Sequence, residues 1–188
     1  MPVEIRWHGR GGQGAVTAAE IIASAAIIEG KWAQAFPSFG AERRGAPVQA
    51  YTRINDKPIY NRSFIYEPDV VVVLDESLLN VGGRDDVMAG LKPNGMLIVN
   101  INQKPYEVAK RLGFNGKVVT VDATSIAIEI IGAPIVNTSM VGAVVKAIDT
   151  VSLDNVVKVL EKRFPPALAA KNFKAMVRAF EEAIIGGL

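Results

Sequence analysis

Val3-Glu4-Ile5-Arg6-Trp7-His8-Gly9-Arg10-Gly11-Gly12-Gln13-Gly14, followed by the run from Ala15 to Ile28, decides the fold. Val3, Ile5 and Trp7 alternate with Glu4, Arg6 and His8, the period of a strand with one buried and one polar face. From Ala15 to Ile28 the composition turns to Ala, Ile and Glu, which a helix accepts, and Gly30 stops the run. Gly9, Gly11 and Gly14 fit the spacing G-x-G-x-x-G between that strand and that helix, so the chain opens on a Rossmann-like unit. At such a junction backbone N–H groups and the helix dipole bind phosphate. The same glycines also serve a tight turn and close packing of helix on sheet, and both readings stand. Arg10 and Gln13 favour a polar contact.

Outward from this unit, Lys31 to Phe36 reads as a short strand. Pro37 to Pro47 reads as a long irregular loop with two Pro and two Gly. Val48 to Ile54 and Ile59 to Ile65 read as an antiparallel hairpin around Asn55-Asp56-Lys57-Pro58. Asp69 to Asp75 is a β-branched run bounded by acids, as in a parallel strand covered on both faces, and belongs at the centre of the sheet. Met96 to Val99, a helix over Tyr106 to Leu112 and Lys117 to Val121 continue the alternation. In the carboxyl third, Leu153, Val156, Val157, Leu160 and Phe164 recur at helical spacing behind Ser152 as N-cap, and Pro165-Pro166 ends the run. Phe173, Met176, Val177, Phe180 and Ile184 form the stripe of a final helix. The expected class is α/β: three layers, α/β/α, a mostly parallel mixed sheet with an antiparallel hairpin, and a helical carboxyl third. No internal repeat or linker divides residues 1–188, which read as a single domain.

Composition excludes more chemistry than it suggests. With 188 residues, 49% of them hydrophobic, the chain buries a real core and is not disordered. A net charge of +2 does not indicate nucleic-acid binding. There is no cysteine, hence no disulfide, thiolate zinc site, nucleophilic Cys or Cys-ligated iron–sulfur cluster. His8 is the only histidine, which removes clustered-His metal sites. Chemistry near this chain therefore uses borrowed groups. The longest uncharged run, Ile130 to Val145, contains Pro134, Asn137, Thr138 and Ser139 and is too short and polar to span a bilayer. The amino-terminal MPVEIRW lacks the basic cap and apolar core of a secretory signal, so the expected location is cytoplasmic.

A dinucleotide fold expects an acid about twenty positions beyond the glycines, at the end of the second strand, to hold a ribose hydroxyl. Phe36, Pro37 and Ser38 occupy that neighbourhood, while Glu29 lies before it and Glu42 beyond it, which marks down a dehydrogenase. Glu42-Arg43-Arg44, between Gly40 and Gly45, is a second constellation. Paired arginines on a glycine-bounded loop fork onto phosphates or carboxylates of a ligand or another protein, or form a solvated loop with local Glu–Arg pairing. His8, directly before the glycine loop, is read as a contact and not a catalyst. Ser38, Ser63 and Ser139 show no nucleophile-elbow spacing. The candidate ligand- or partner-binding residues are His8, Gly9, Arg10, Gly11, Gly12, Gln13, Gly14, Ser38, Glu42, Arg43 and Arg44, with no catalytic and no metal residue among them.

His8 to Gly14, His-Gly-Arg-Gly-Gly-Gln-Gly, followed by Phe36 to Pro47, Phe-Pro-Ser-Phe-Gly-Ala-Glu-Arg-Arg-Gly-Ala-Pro, resembles the gamma subunit of 2-oxoacid:ferredoxin oxidoreductases, most closely of pyruvate:ferredoxin oxidoreductase, also called pyruvate synthase. The Asp69 to Asp75 strand, the Lys92 to Gly95 turn and the Asn137 to Gly142 segment extend the resemblance over most of the chain. It implies an anaerobic-metabolism enzyme of several subunits that converts pyruvate and coenzyme A to acetyl-CoA and carbon dioxide while reducing ferredoxin. In that family thiamine diphosphate and [4Fe-4S] clusters belong to companion alpha, beta and delta subunits, and this chain alone binds no cofactor. The resemblance implies a non-catalytic subunit. The two potential anion sites, the Gly9 to Gly14 loop and the Arg43–Arg44 pair, without a nicotinamide acid, favour an assembly role that helps shape coenzyme A access, and charge and hydropathy give no nucleic-acid and no membrane partner. The alternatives are a gamma subunit for another 2-oxoacid (2-oxoisovalerate, 2-oxoglutarate or indolepyruvate), a stand-alone Rossmann-type nucleotide-binding oxidoreductase, or a purely structural adaptor. An isolated chain with its partner surface vacant is expected to self-associate.

Overall fold

The computed structural model describes residues 2–38, 45–80 and 83–188. Seven strands form one mixed sheet: β1 (Val3–Arg10), β2 (Trp32–Ser38), β3 (Pro47–Asn55), β4 (Val70–Val73), β5 (Met96–Asn100), β6 (Lys117–Val121) and β7 (Ile184–Gly186), in the order β2-β3-β1-β4-β5-β6-β7. β1, β4, β5 and β6 are parallel neighbours, β3 runs antiparallel to both β1 and β2, and β7 runs antiparallel to β6. The helices are α1 (Ala15–Ile28), α2 (Arg84–Met88), α3 (Pro105–Leu112), α4 (Ala123–Ile130), α5 (Asn137–Ala147), α6 (Leu153–Arg163) and α7 (Pro166–Glu182).

Alternation along the strands builds two cores, one on each face of the sheet. Ile5, Trp7, Val70, Val72, Ile98 and Val119 point to one face and pack with α1, α4, α5, α6 and α7. Val71, Val73, Leu97, Val99 and Val118 point to the other and pack with Leu78, Val87, Val108 and Leu112. The three-layer α/β/α class holds. Trp7, fully buried, donates from Nε1 to Thr52 Oγ1 at 3.0 Å, and the Thr52 hydroxyl donates to Ala19 O at 3.1 Å. That relay satisfies the indole without solvent and ties β1, β3 and α1 together.

Three expectations need correction. The partner of β3 is not Ile59 to Ile65: both edges of β3 are already taken by β1 and β2, leaving no ladder for a further strand. The 59–65 stretch instead crosses the sheet face irregularly, giving Ile59 O to Gln34 Nε2 and the carbonyls of Asn61 and Ser63 to the Arg53 guanidinium. The supposed polar face of β1 is not solvated, because Arg6 and His8 are 5% and 4% exposed beneath the end of α2. Ile184 is not part of the last helix: α7 stops at Glu182 and the chain then extends as β7 against β6.

The uncharged run from Ile130 to Val145 contains all but the last two residues of α5, a helix that the strand-and-helix alternation did not reveal. Every residue from Asn137 to Val145 is buried, polar Asn137, Thr138 and Ser139 included, so α5 carries no apolar stripe to read. It packs so tightly on α7 that a Cβ at Gly142 would lie 2.1 Å from Met176 O. No helix of the described residues is long and apolar enough to cross a membrane.

Candidate functional site at the glycine loop

The loop between β1 and α1 is folded by Gln13. Its N–H donates to Arg10 O at 3.0 Å, and its side-chain Oε1 accepts from Arg10 N at 2.7 Å. Gly12 and Gly14 have φ of +98° and +82°, a region that side chains disfavour. Gly14 also has no room, since a Cβ there would stand 2.7 Å from Asn137 Nδ2. Gly14 is the N-cap of α1, so that helix starts with no side-chain cap and no acid in its first turn. Its first-turn N–H groups and the positive end of its dipole are not neutralised from within, which is what an incoming anion requires.

Asp75, just past β4, braces the loop from below. Its Oδ2 accepts from Gln13 Nε2 at 2.9 Å and lies 3.3 Å from Arg10 Nε; its Oδ1 accepts from Ser77 N at 3.0 Å and Ser77 Oγ at 2.6 Å. Ser77 Oγ accepts in turn from Arg10 Nη2 at 2.8 Å. Burial alone would push the Asp75 carboxyl up, but the hydrogen bonds from Ser77 and Gln13, with Arg10 nearby, outweigh it and hold the group below the ordinary carboxylate value. Asp75 is thus a committed acceptor with no oxygen left for a ribose.

The two stretches that carry the family resemblance meet here. Gly11 N donates to Ala46 O at 2.9 Å, Gly45 N donates to Gly11 O at 3.3 Å, and Arg10 Nη1 donates to Gly45 O at 3.1 Å. The entry to β3 is therefore bonded directly to the glycine loop.

Beside the loop, at the carboxyl ends of β4, β5 and β6, lies a polar cleft of about 420 Å³. Gln13, Asp75, Glu76, Asn102 and Asp122 line it. At its floor Asn100 is fully employed, donating to Leu74 O and Thr124 Oγ1 and accepting from Thr124 N, while Asp122 caps α4 through Ser125 N. Three carboxylates on the wall make the cleft unfavourable for a phosphate, which the loop and the start of α1 suit far better. Chain direction reverses beside the loop: β1 leads away to β2, and β4 leads to β5 on the opposite side, the position where open α/β sheets take ligands.

Gly9 to Gly14 and Arg10 are brought together at this point, but Arg10 faces Ser77, Asp75 and Gly45. His8 is buried away from it; its Nε2 accepts from Arg6 Nε at 2.9 Å, and burial, with the Arg6 charge adding, pushes the imidazole down to about 3. Ser38 ends β2, paired with Gln49. Glu42, Arg43 and Arg44 lie outside the described residues. Sequence reasoning missed Asp75, Ser77 and Asn137. Asp75 was legible as the acid ending the central strand, but nothing in the sequence said that this strand would be the neighbour of β1.

The absent ribose acid has a structural reason. β2 runs parallel to β1, as in a dinucleotide fold, but β3 is inserted between them. Its end therefore stands two strand spacings, about 9–10 Å, from β1, twice the distance of a direct neighbour.

A sequence model of the family described as pyruvate ferredoxin/flavodoxin oxidoreductase matches residues 4–182. The chain belongs to that family. The chain is 56% identical over 184 residues to the pyruvate/ketoisovalerate oxidoreductases common subunit gamma of Thermococcus kodakarensis, covering 97% of this chain and 98% of the relative. It is 51% identical over 183 residues to pyruvate synthase subunit PorC of Methanothermobacter thermautotrophicus, covering 96% and 95%. The crystal structure of the pyruvate oxidoreductase subunit PORC of Thermotoga maritima superimposes with a TM-score of 0.87 at 43% identity, covering 98% of each chain. The protein is a gamma subunit of a multi-subunit 2-oxoacid:ferredoxin oxidoreductase.

Proposed function

We propose that this chain, acting as one domain over residues 1–188, is the gamma subunit of a pyruvate:ferredoxin oxidoreductase and serves coenzyme A access without catalysing a step itself. The reaction joins the acetyl carbons of pyruvate to the coenzyme A sulfur, releases the carboxylate as carbon dioxide and passes two electrons to ferredoxin. Thiamine diphosphate, which stabilises the carbanion left by decarboxylation, and the [4Fe-4S] clusters belong to companion alpha, beta and delta chains. This sequence has no cysteine with which to hold a cluster.

The observation that carries the coenzyme A reading is the uncapped start of α1 at Gly14, presented by a glycine loop with two positive-φ residues. In this reading Ser38, Glu42, Arg43 and Arg44 supply further anion-binding or partner-docking groups. The relative named as common to pyruvate and ketoisovalerate enzymes supports a further point: companion chains, and not this one, choose the 2-oxoacid.

The test is a coenzyme A titration of the assembled enzyme in which Gly12→Ala is combined with Arg43→Ala and Arg44→Ala. A raised KM for coenzyme A with the subunits still assembled supports the reading. An unchanged KM overturns the ligand role, and loss of assembly before loss of affinity assigns these residues to partner contacts.

A further inference from the structure

We infer that Asp75 is a positioning residue for coenzyme A binding, acting through Gln13 and Arg10 and not by contact; the inference rests on the reading that the glycine loop receives a coenzyme A phosphate. Gly12 and Gly14 lie in a backbone region with little intrinsic restraint for glycine, so the path of the loop must be fixed by contacts. Those contacts converge on one carboxylate. Asp75 Oδ2 takes Gln13 Nε2, which turns Gln13 Oε1 toward Arg10 N and closes the loop. Asp75 Oδ1 takes both Ser77 donors, leaving Ser77 Oγ as the acceptor for Arg10 Nη2. Arg10 then reaches Gly45 O with Nη1, so the same carboxylate also sets the entry to β3 against the loop.

The arrangement requires an acceptor on both oxygens. Every atom facing Asp75 in this network is a donor: Gln13 Nε2, Arg10 Nε, Ser77 N and Ser77 Oγ. An asparagine of the same shape would place an NH₂ against one pair of them, turning an attraction into a donor–donor conflict. Gln13 would lose its orientation while the β4 core beneath, Val70 to Val73, stayed packed.

The experiment measures initial rates of the reconstituted multi-subunit enzyme carrying Asp75→Asn, Asp75→Glu or Gly12→Ala. Asp75→Asn is expected to raise KM for coenzyme A about tenfold, the equivalent of about 1.4 kcal/mol. Its kcat at saturating coenzyme A and its KM for the 2-oxoacid should stay within about twofold, the split that separates positioning from general damage. Asp75→Glu, which keeps two acceptor oxygens, should recover part of the loss. If Gly12→Ala raises the KM and Asp75→Asn does not, positioning by Asp75 is refuted while the coenzyme A reading survives. If neither raises it, that reading fails and the inference with it. If Asp75→Asn does not enter the complex, Gln13→Met, which removes the brace from the loop side, is judged by the same criteria.

Discussion

Gly14 and Asn137 meet where two helices begin: the N-cap of α1 lies so close to the first residue of α5 that a Cβ on Gly14 would sit 2.7 Å from Asn137 Nδ2. Two stretches more than a hundred residues apart thus share one small volume beside the loop. The approach is possible only because Gly14 has no side chain.

Gly12 and Gly14 should consequently respond differently to alanine. Both have positive φ, so either substitution costs about 1–2 kcal/mol of backbone strain. At Gly12 no atom of the described residues lies within 4 Å of the new methyl, so backbone strain is the expected effect. At Gly14 the methyl also displaces Asn137 and the start of α5, so Gly14→Ala should lose at least about 1 kcal/mol more in urea unfolding. Equal losses would show that the loop relaxes away from α5.

Gly142→Ala tests the buried carboxyl-terminal packing. Its methyl would fall 2.1 Å from Met176 O, a backbone atom that cannot turn aside, so α5 and α7 must separate. A destabilisation of about 2–4 kcal/mol is expected, with faster amide exchange along α7. An exchange pattern identical to that of the parent chain would contradict this packing.

The parallel strands and the amphipathic helices were legible because their patterns are local. Lys117–Val121 and the Ser152 cap stand where alternation and capping chemistry put them, Ser152 Oγ accepting from Asn155 N at 3.4 Å. β3 was recognised but misassigned, since pairing depends on which edges are free and Val48 to Ile54 looks the same with one partner or two. α5 was hidden for the opposite reason: burial on all sides removes the periodicity that marks a helix. At the site, the glycine spacing showed a loop before a helix, while Asp75, Ser77 and Asn137 became visible only when the sheet brought the end of β4 and the start of α5 to it.

The isolated subunit should associate with itself. Trp32, Tyr66 and Tyr60 are 53%, 70% and 87% exposed, large aromatic side chains of the kind that subunit interfaces cover. Light scattering should show a mass that rises with concentration, and companion chains should reverse it. Acrylamide provides a local check, because Trp7 is sealed while Trp32 is open. Quenching should reach one tryptophan in the dilute chain, and a constant monomer mass at every accessible concentration would refute the association.

Acid should weaken the fold through His8. Its imidazole accepts from Arg6 Nε, a contact available only to the neutral ring, and burial holds the folded-state pKa at about 3 against 6.5 in the open chain. Between these values the unfolded chain binds a proton that the folded chain refuses, so stability is complete above pH 6.5 and falls as pH drops toward about 3. The slope from this residue approaches about 1.4 kcal/mol per pH unit within that window. Gln at this position keeps an acceptor for Arg6 and cannot titrate. His8→Gln should therefore flatten the dependence of the urea midpoint on pH between 6.5 and the range where carboxylates begin to protonate. Parallel curves for the two proteins would mean that His8 takes up its proton in the folded state and that the Arg6 contact is broken in solution.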